Sequence, residues 1–284
     1  MSSLADQEHP FAPAPEWEWE RVRPPTGRGR PTLAVFKLAS CDGCQLSLLD
    51  HEDALLRLAD VVQIAEFAEL SSASMPGPYD LVLVEGSVTT PADAARVAGI
   101  RDAARRLVAI GACATAGGIQ SLRNFADEPA LARRVYAHPE YLATLADSTP
   151  VSAHVRVDAE IHGCPVDGGE LLEVVAATLA GRRPITRPHA VCEECKQAGH
   201  ACLLVTGRAA CLGPVTHAGC GALCPGVDRG CFGCFGPSES PNTSSLAAGL
   251  ARRNISEKSL RRLLRTFTAA APAFATESAR HGDV

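Results

Sequence analysis

The chain has 284 residues, 46% of them hydrophobic but only 5% aromatic, and a formal net charge of −5. That length allows one large domain, or a large and a small one, with a real core. The acidic balance excludes a nucleic-acid binder that works by phosphate neutralisation. The absence of any run of about 18 apolar residues argues against a membrane span.

Residues 1–30 are rich in Pro, Glu and Arg and read as an extension rather than folded chain, although Trp17 and Trp19 suit docking on a partner. The segment has neither a basic start followed by an apolar core nor a twin-arginine pattern, so the expected location is the cytoplasm. From residue 32 the texture alternates. Strands are expected at Thr32–Leu38, Val61–Phe67, Tyr79–Glu85, Leu107–Ile110 and Ala153–Ile161. Helical spacing follows in QLSLLDHEDALLRLA, in ADAARVAGIRDAARR after a Thr90-Pro91 start, and in GGELLEVVAATLAGR. Strands alternating with helices imply an α/β fold with a doubly wound parallel sheet. Residues 184–240 hold eight cysteines among many Gly and Pro and show little periodicity, so a small, irregular, stapled domain is expected there. Helical patterns return from Thr243, and the tail ESARHGDV is expected to be loose. The organisation expected is an extension over 1–31, an α/β domain over 32–183 and a cysteine-rich domain over 184–284.

Twelve cysteines in a reducing compartment point to metal or redox chemistry, not disulfides. Cys41, Cys44, Cys113 and Cys164 are far apart in sequence, yet each follows the end of an expected strand. In an open parallel sheet those loops share one crevice, where four thiols can close around one iron–sulfur cluster. The adjacent Gly43, Gly111, Gly117, Gly118 and Gly163 let backbone approach sulfur closely. The following helices are expected to aim their N-terminal N–H groups at the site. The other eight, Cys192, Cys195, Cys202, Cys211, Cys220, Cys224, Cys231 and Cys234, suffice for two four-sulfur sites. Zinc is the competing occupant, since Cys₄ zinc sites also use Cys-x₂-Cys pairs. Cys224-Pro225 and the apolar, glycine-rich surroundings favour iron–sulfur. A sequential division puts Cys192, Cys195, Cys202 and Cys211 in one site and Cys220, Cys224, Cys231 and Cys234 in the other. Interleaved ligation stays open.

CDGCQLSLLD, LVLVEGSVTT, GACATAGGI and HGCPVDGGELL, in this order, resemble the small subunit of [NiFe] hydrogenases. The resemblance implies a flavodoxin-like first domain and three [4Fe–4S] clusters. Cys41, Cys44, Cys113 and Cys164 would hold the proximal one, nearest the nickel–iron site of a large subunit. The last cysteines would hold the medial cluster (Cys220, Cys224, Cys231, Cys234) and the distal one (Cys192, Cys195, Cys202, Cys211). Cys192 stands where exported relatives have a His, and Cys224 where they often have a Pro. The pattern therefore resembles the cytoplasmic, bidirectional NAD(P)-linked or sulfhydrogenase-like branch, with flavin- or iron–sulfur-containing diaphorase-type partners. Gln45 replaces a Glu often found nearby, so a proton-relay role is not carried over to it. Glu85 reads either as a carboxylate near the proximal cluster or as one capping a turn or pairing an Arg. His162 could hydrogen-bond a sulfur or fill a loop. His189, His200 and His217 read as structural. No GxGxxG follows a strand and no catalytic triad stands out, so the chain is expected to conduct electrons, with catalysis on the partner. Two rivals are a complex I-like electron-transfer subunit without hydrogen chemistry, which usually has adjacent cysteines in its first cluster loop, and a zinc-stabilised binding module.

Overall fold

The computed structural model describes residues 29–282; the expectations for Trp17, Trp19 and their extension lie outside the described residues. β1 (Thr32–Lys37) leads to α1 (Gly43–Leu49) and α2 (Glu52–Val61). β2 (Gln63–Phe67) and β3 (Tyr79–Glu85) follow, then α3 (Pro91–Ala103), β4 (Ala104–Ile110) and α4 (Gly111–Ala116). A 3₁₀ segment at Ile119–Phe125 precedes α5 (Glu128–Val135), β5 (Ala159–Ile161) and α6 (Gly168–Leu179). The strands form one parallel sheet in the order β2-β1-β3-β4-β5, the flavodoxin-type order.

The sheet is buried on both faces, which is why its strands read as unbroken apolar runs rather than alternating ones. Leu33, Leu81, Leu83, Val108 and Ile110 pack with Leu48, Leu58 and Leu172 on one side. Their neighbours Ala34, Val82, Val84, Leu107 and Ala109 pack with Val97 and Ile100 on the other. The period-2 geometry of a strand produces this division. Thr90 caps α3 through a reciprocal box with Asp93, as the Thr-Pro start predicts.

Four expected elements are corrected. The single helix across QLSLLDHEDALLRLA is broken at Asp50-His51, because the His51 ring lies against Gly168 at the start of α6, where a Cβ would collide with it. β2 starts at Gln63, since Val61 ends α2 and the Val62 N–H still bonds back to Leu58. Residues 104–106 leave the expected third helix and join β4. The expected fifth strand shrinks to Ala159–Ile161. Asp158 stops the ladder: its carboxylate accepts the Leu107 N–H at 2.8 Å and the Arg101 guanidinium at 2.7 Å.

Beyond α6, short helices α7 (Val191–Gln197), α8 (Leu203–Thr206) and α9 (Leu223–Gly226) are set in irregular chain. α10 (Thr243–Ala251), α11 (Glu257–Leu264) and α12 (Pro272–Ala279) close the described chain. Their shared core includes Cys211 and Cys231 beside Val191, Leu212, Leu250, Leu260 and Phe274. The tail is not loose at its start. Glu277 is buried in α12 and accepts hydrogen bonds from Ser244 and Thr243 while facing Arg280 and His281. No helix among the described residues is long and apolar enough to cross a membrane.

Candidate functional site

The first four cysteines lie at one edge of the sheet, where β1, β4 and β5 end. Cys41 is exposed in the loop after β1, Cys44 is buried in the first turn of α1, Cys113 lies in α4 and Cys164 follows β5. They are electrostatic neighbours. Burial raises the Cys44 thiol most, followed by Glu85, with further contributions from Cys113 and Cys164. Burial pushes Cys113 up to about 11, with Cys164 and Cys41 adding to it. Cys164 is raised by burial and then by Cys41. The glycine expectation has a concrete form here. A Cβ on Gly111 (φ +82°) would collide with Cys44 Sγ, and one on Gly118 (φ +64°) with Cys113 Sγ. These positions keep a space in front of the sulfurs that side chains would fill.

Glu85 sits behind this group with 1% of its surface exposed. Its partners are amides, not an arginine: the Cys44 N–H at 3.2 Å and Gln45 Nε2 at 2.8 Å. It thus caps the turn and adjoins the thiols at once. Burial raises its carboxyl pKa, and the two amide donors only partly offset that. One expectation changes in consequence. The Cys44 N–H, expected to aim at the sulfurs, is committed to Glu85. Gln120 is a neighbour that sequence spacing did not indicate. It donates to the Ala39 carbonyl at 2.7 Å and has its Oε1 3.5 Å from Cys113 Sγ.

The other eight thiols fall into two neighbourhoods. Burial pushes Cys192 up to about 11, and Cys211, Cys195 and Cys202 push it further. Cys195 is raised by burial, then by Cys211 and Cys202. A Cβ on Gly213 would stand 3.3 Å from Cys211 Sγ and 3.4 Å from Cys192 Sγ, so these sulfurs face a common space. Burial pushes Cys234 up to about 12, followed by Cys220, Cys224 and Cys164. Cys220 is raised by burial, then by Glu194 and Cys224. The neighbourhoods also touch. Cys164 acts on Cys234, and Cys211 acts on Cys224 and Cys231. The α/β thiols thus adjoin the cysteine-rich region at Cys234, and Cys211 lies among Cys192, Cys195, Cys224 and Cys231.

The donor set suits an anionic iron–sulfur cluster. It is all sulfur, it is lined by glycine, and it already carries N–H···S contacts: Gly213 to Cys211 at 3.4 Å, Cys231 to Cys211 at 3.2 Å and Gly233 to Cys231 at 3.4 Å. Bare thiols buried this way stay protonated, and iron would reverse that by binding the thiolate. Among the described residues no three His, Cys, Asp or Glu converge as they would on a single metal ion. Thr216, which no spacing rule singled out, is fully buried beside Cys231, and its hydroxyl donates to the Leu212 carbonyl at 2.8 Å.

The histidines have other partners. His162 and His217 pack ring to ring at 5.0 Å, and burial with the His217 contact takes His162 down to about 4. The His189 carbonyl accepts the Ala218 N–H, and the His200 ring lies against Gly226. An acidic pair was missed. Burial pushes Glu170 up to about 7 despite Arg187, with Asp167 and Glu194 adding to it. Glu194 accepts the Gly219 N–H at 3.0 Å.

Residues 41–178 match the family model described as "NADH ubiquinone oxidoreductase, 20 Kd subunit". The chain is 37% identical over 235 residues to the delta subunit of sulfhydrogenase 2 from Pyrococcus furiosus, covering 83% of this chain and 98% of that one. It is 30% identical over 242 residues to one of the subunits of an F420-non-reducing hydrogenase from Methanocaldococcus jannaschii, covering 73% and 84% respectively. Among solved structures it resembles a chain of an NAD⁺-reducing [NiFe]-hydrogenase in the H₂-reduced state. There the identity is 30%, the TM-score is 0.51, and the match covers 55% of this chain and 95% of that one.

Proposed function

We infer that this chain, which belongs to the family of [NiFe] hydrogenase small subunits, relays electrons between a nickel–iron large subunit and a soluble acceptor module through three [4Fe–4S] clusters. The observation that carries this reading is the adjoining of sulfur groups. Support comes from Cys164 adjoining Cys234 and from Cys211 adjoining Cys224 and Cys231, which link the α/β thiols to those of the cysteine-rich region. A conducting path needs this contact, whereas a set of independent structural metal sites has no use for it.

We assign Cys41, Cys44, Cys113 and Cys164 to the proximal cluster, Cys220, Cys224, Cys231 and Cys234 to the medial one, and Cys192, Cys195, Cys202 and Cys211 to the distal one. The bound clusters supply one-electron redox chemistry. The chain's own residues fix their positions and set their surroundings. Gly111, Gly118 and Gly213 clear the space for them, and the N–H groups of Gly213, Cys231 and Gly233 stabilise negative charge on sulfur. Glu85 holds the Cys44 turn against β3. The α/β and cysteine-rich regions act as two domains that meet near residue 183, and hydrogen is activated on the large subunit.

Its relatives are named for different reactions: a sulfhydrogenase, an F420-non-reducing hydrogenase and an NAD⁺-reducing hydrogenase. For this chain we propose a cytoplasmic complex in which a diaphorase-type partner carries electrons to NAD(P). The complex I-like reading draws on the name of the family model, but that match ends at residue 178 and leaves the last eight cysteines without a role. The test is hydrogen-driven reduction of the purified complex. Its visible iron–sulfur absorption is expected to bleach under hydrogen, and to stay unbleached when the large subunit is removed. Uptake of hydrogen by the large subunit into a dye, with no bleaching of this chain, would overturn the reading.

A further inference from the structure

We propose that Glu170 is a proton-accepting group coupled to the iron–sulfur site that Cys220 helps to hold, so that a proton from water enters the seam between the two halves of the chain when that site is reduced. The proposal deepens the relay reading and rests on it.

Glu170 stands in the first turn of α6 with 8% of its surface exposed, and its carboxylate accepts no hydrogen bond among the described residues. Buried carboxylates ordinarily have donors, so an unserved one calls for a role. Its Oε2 faces Gly219, where a Cβ would stand 3.4 Å away, and the next residue is Cys220. A second carboxylate reaches the same glycine from the other half. Glu194, in α7, accepts the Gly219 N–H at 3.0 Å through Oε1, while its Oε2 is buried with no partner among the described residues. The Arg187 guanidinium is committed elsewhere: it donates to the Gly219 carbonyl at 3.1 Å and pairs with Asp167 at 3.6 Å. Three carboxylates thus share one cation, and a single proton supplies both the missing charge and the missing donor.

The charged groups facing Glu170 are Arg187 from the chain between the halves, Asp167 from the start of its own helix and Glu194 from α7. The other titratable groups of the seam are His51, whose ring lies against Gly168, the packed rings of His162 and His217, and the Cys220 thiol, raised by burial and then by Glu194. Burial pushes Glu170 up to about 7, Arg187 opposes this, and Asp167 and Glu194 add to it. The carboxyl therefore stands where one more negative charge nearby changes its occupancy. Reduction of the Cys220 site brings that charge. One electron arrives along the relay, and one O–H bond forms on Glu170 as a hydronium ion becomes water. Linkage makes the effect mutual: the proton favours the electron by as much as the electron favours the proton.

The test is a redox titration of the purified complex, followed by electron paramagnetic resonance at pH values from about 5 to about 9, with Cys220→Ser used to mark the signal of its site. In the wild type that site's midpoint potential is expected to fall as pH rises through about 7, and to level off once Glu170 is charged in both oxidation states. In Glu170→Gln the dependence should vanish, with the potential held near the wild type's acid limit, because the amide is neutral in both states. Redox-difference infrared spectra of the wild type near neutral pH should gain a protonated-carboxyl C=O band on reduction, and those of the Gln variant should not. A wild-type potential that is flat across the range would overturn the proposal. So would a Gln variant that keeps the wild-type dependence. A complex with no iron–sulfur signal to titrate would instead remove the relay beneath it, and this proton site with it.

Discussion

The two halves of the described chain hold their cysteines by opposite means. In the α/β half the apolar layers on either face of the sheet consist almost entirely of aliphatic side chains, and only Cys44 belongs to them. The thiols there are delivered by loops to the edge of a structure that the sheet already defines. In the C-terminal half, Cys211 and Cys231 are core residues, with Cys195 and Cys220 packed against them, and the helices that carry or directly follow cysteines are four to seven residues long. Helices that short are not stable alone. The sheet positions its thiols from outside, whereas in the second half the thiols are themselves part of the core.

Removing iron breaks this comparison most directly. Chelation under anaerobic conditions is expected to abolish amide-exchange protection across residues 191–264 while β1, β3 and β4 keep theirs. Cys231→Ala should act like chelation on the second half, and Cys113→Ala should leave both halves folded. Equal loss of protection in both halves would show that the sheet, too, depends on its cluster.

A smaller effect is expected at Gly111. Gly111→Ala places a Cβ against Cys44 Sγ at a positive φ, and should cost about 2–4 kcal/mol with loss of the proximal iron alone. Denaturant unfolding and iron counts check it; unchanged iron would separate the glycine from the site.

Glu85→Ala leaves the buried Cys44 N–H and Gln45 amide without their acceptor, and is expected to cost about 1–3 kcal/mol. The same change should leave the second half's exchange pattern untouched.

A pH dependence is expected at Glu170. Its pKa is raised from 4.5 to about 7 in the fold, so the folded state binds the extra proton across that interval. Stability from this group is therefore greatest below about pH 4.5, falls as pH rises towards 7, and is level above. Glu170→Gln should remove that slope, so its advantage over the wild type should widen across the same window in pH-dependent melting. A constant gap would mean that Arg187 keeps the carboxylate charged throughout.

Much of this organisation was legible in the chain itself. Tyr79–Glu85 reads as a buried strand because its residues are apolar on both faces, and Thr90-Pro91 announces a helix start that needs nothing beyond the next turn. The cysteines announce chemistry by type and spacing. What was not legible depends on distant partners. The break at Asp50-His51 needs Gly168, more than a hundred positions later, and the early end of β5 needs Asp158 to meet Arg101 and Leu107. Glu277 looks like part of a polar tail until Ser244 and His281 surround it. Glu85 was offered by its motif only as one of two readings, while Gln120 carries no motif at all and only the fold brings it to Cys113.

The central claim is that twelve cysteines divide into three four-sulfur sites for iron–sulfur clusters, and its most direct test is metal and acid-labile sulfide analysis of the anaerobically purified complex, with nickel–iron counted separately on the large subunit. About twelve irons and about twelve sulfides are expected on this chain, with a brown visible spectrum. A colourless chain carrying about two or three zinc ions and no sulfide would contradict the claim.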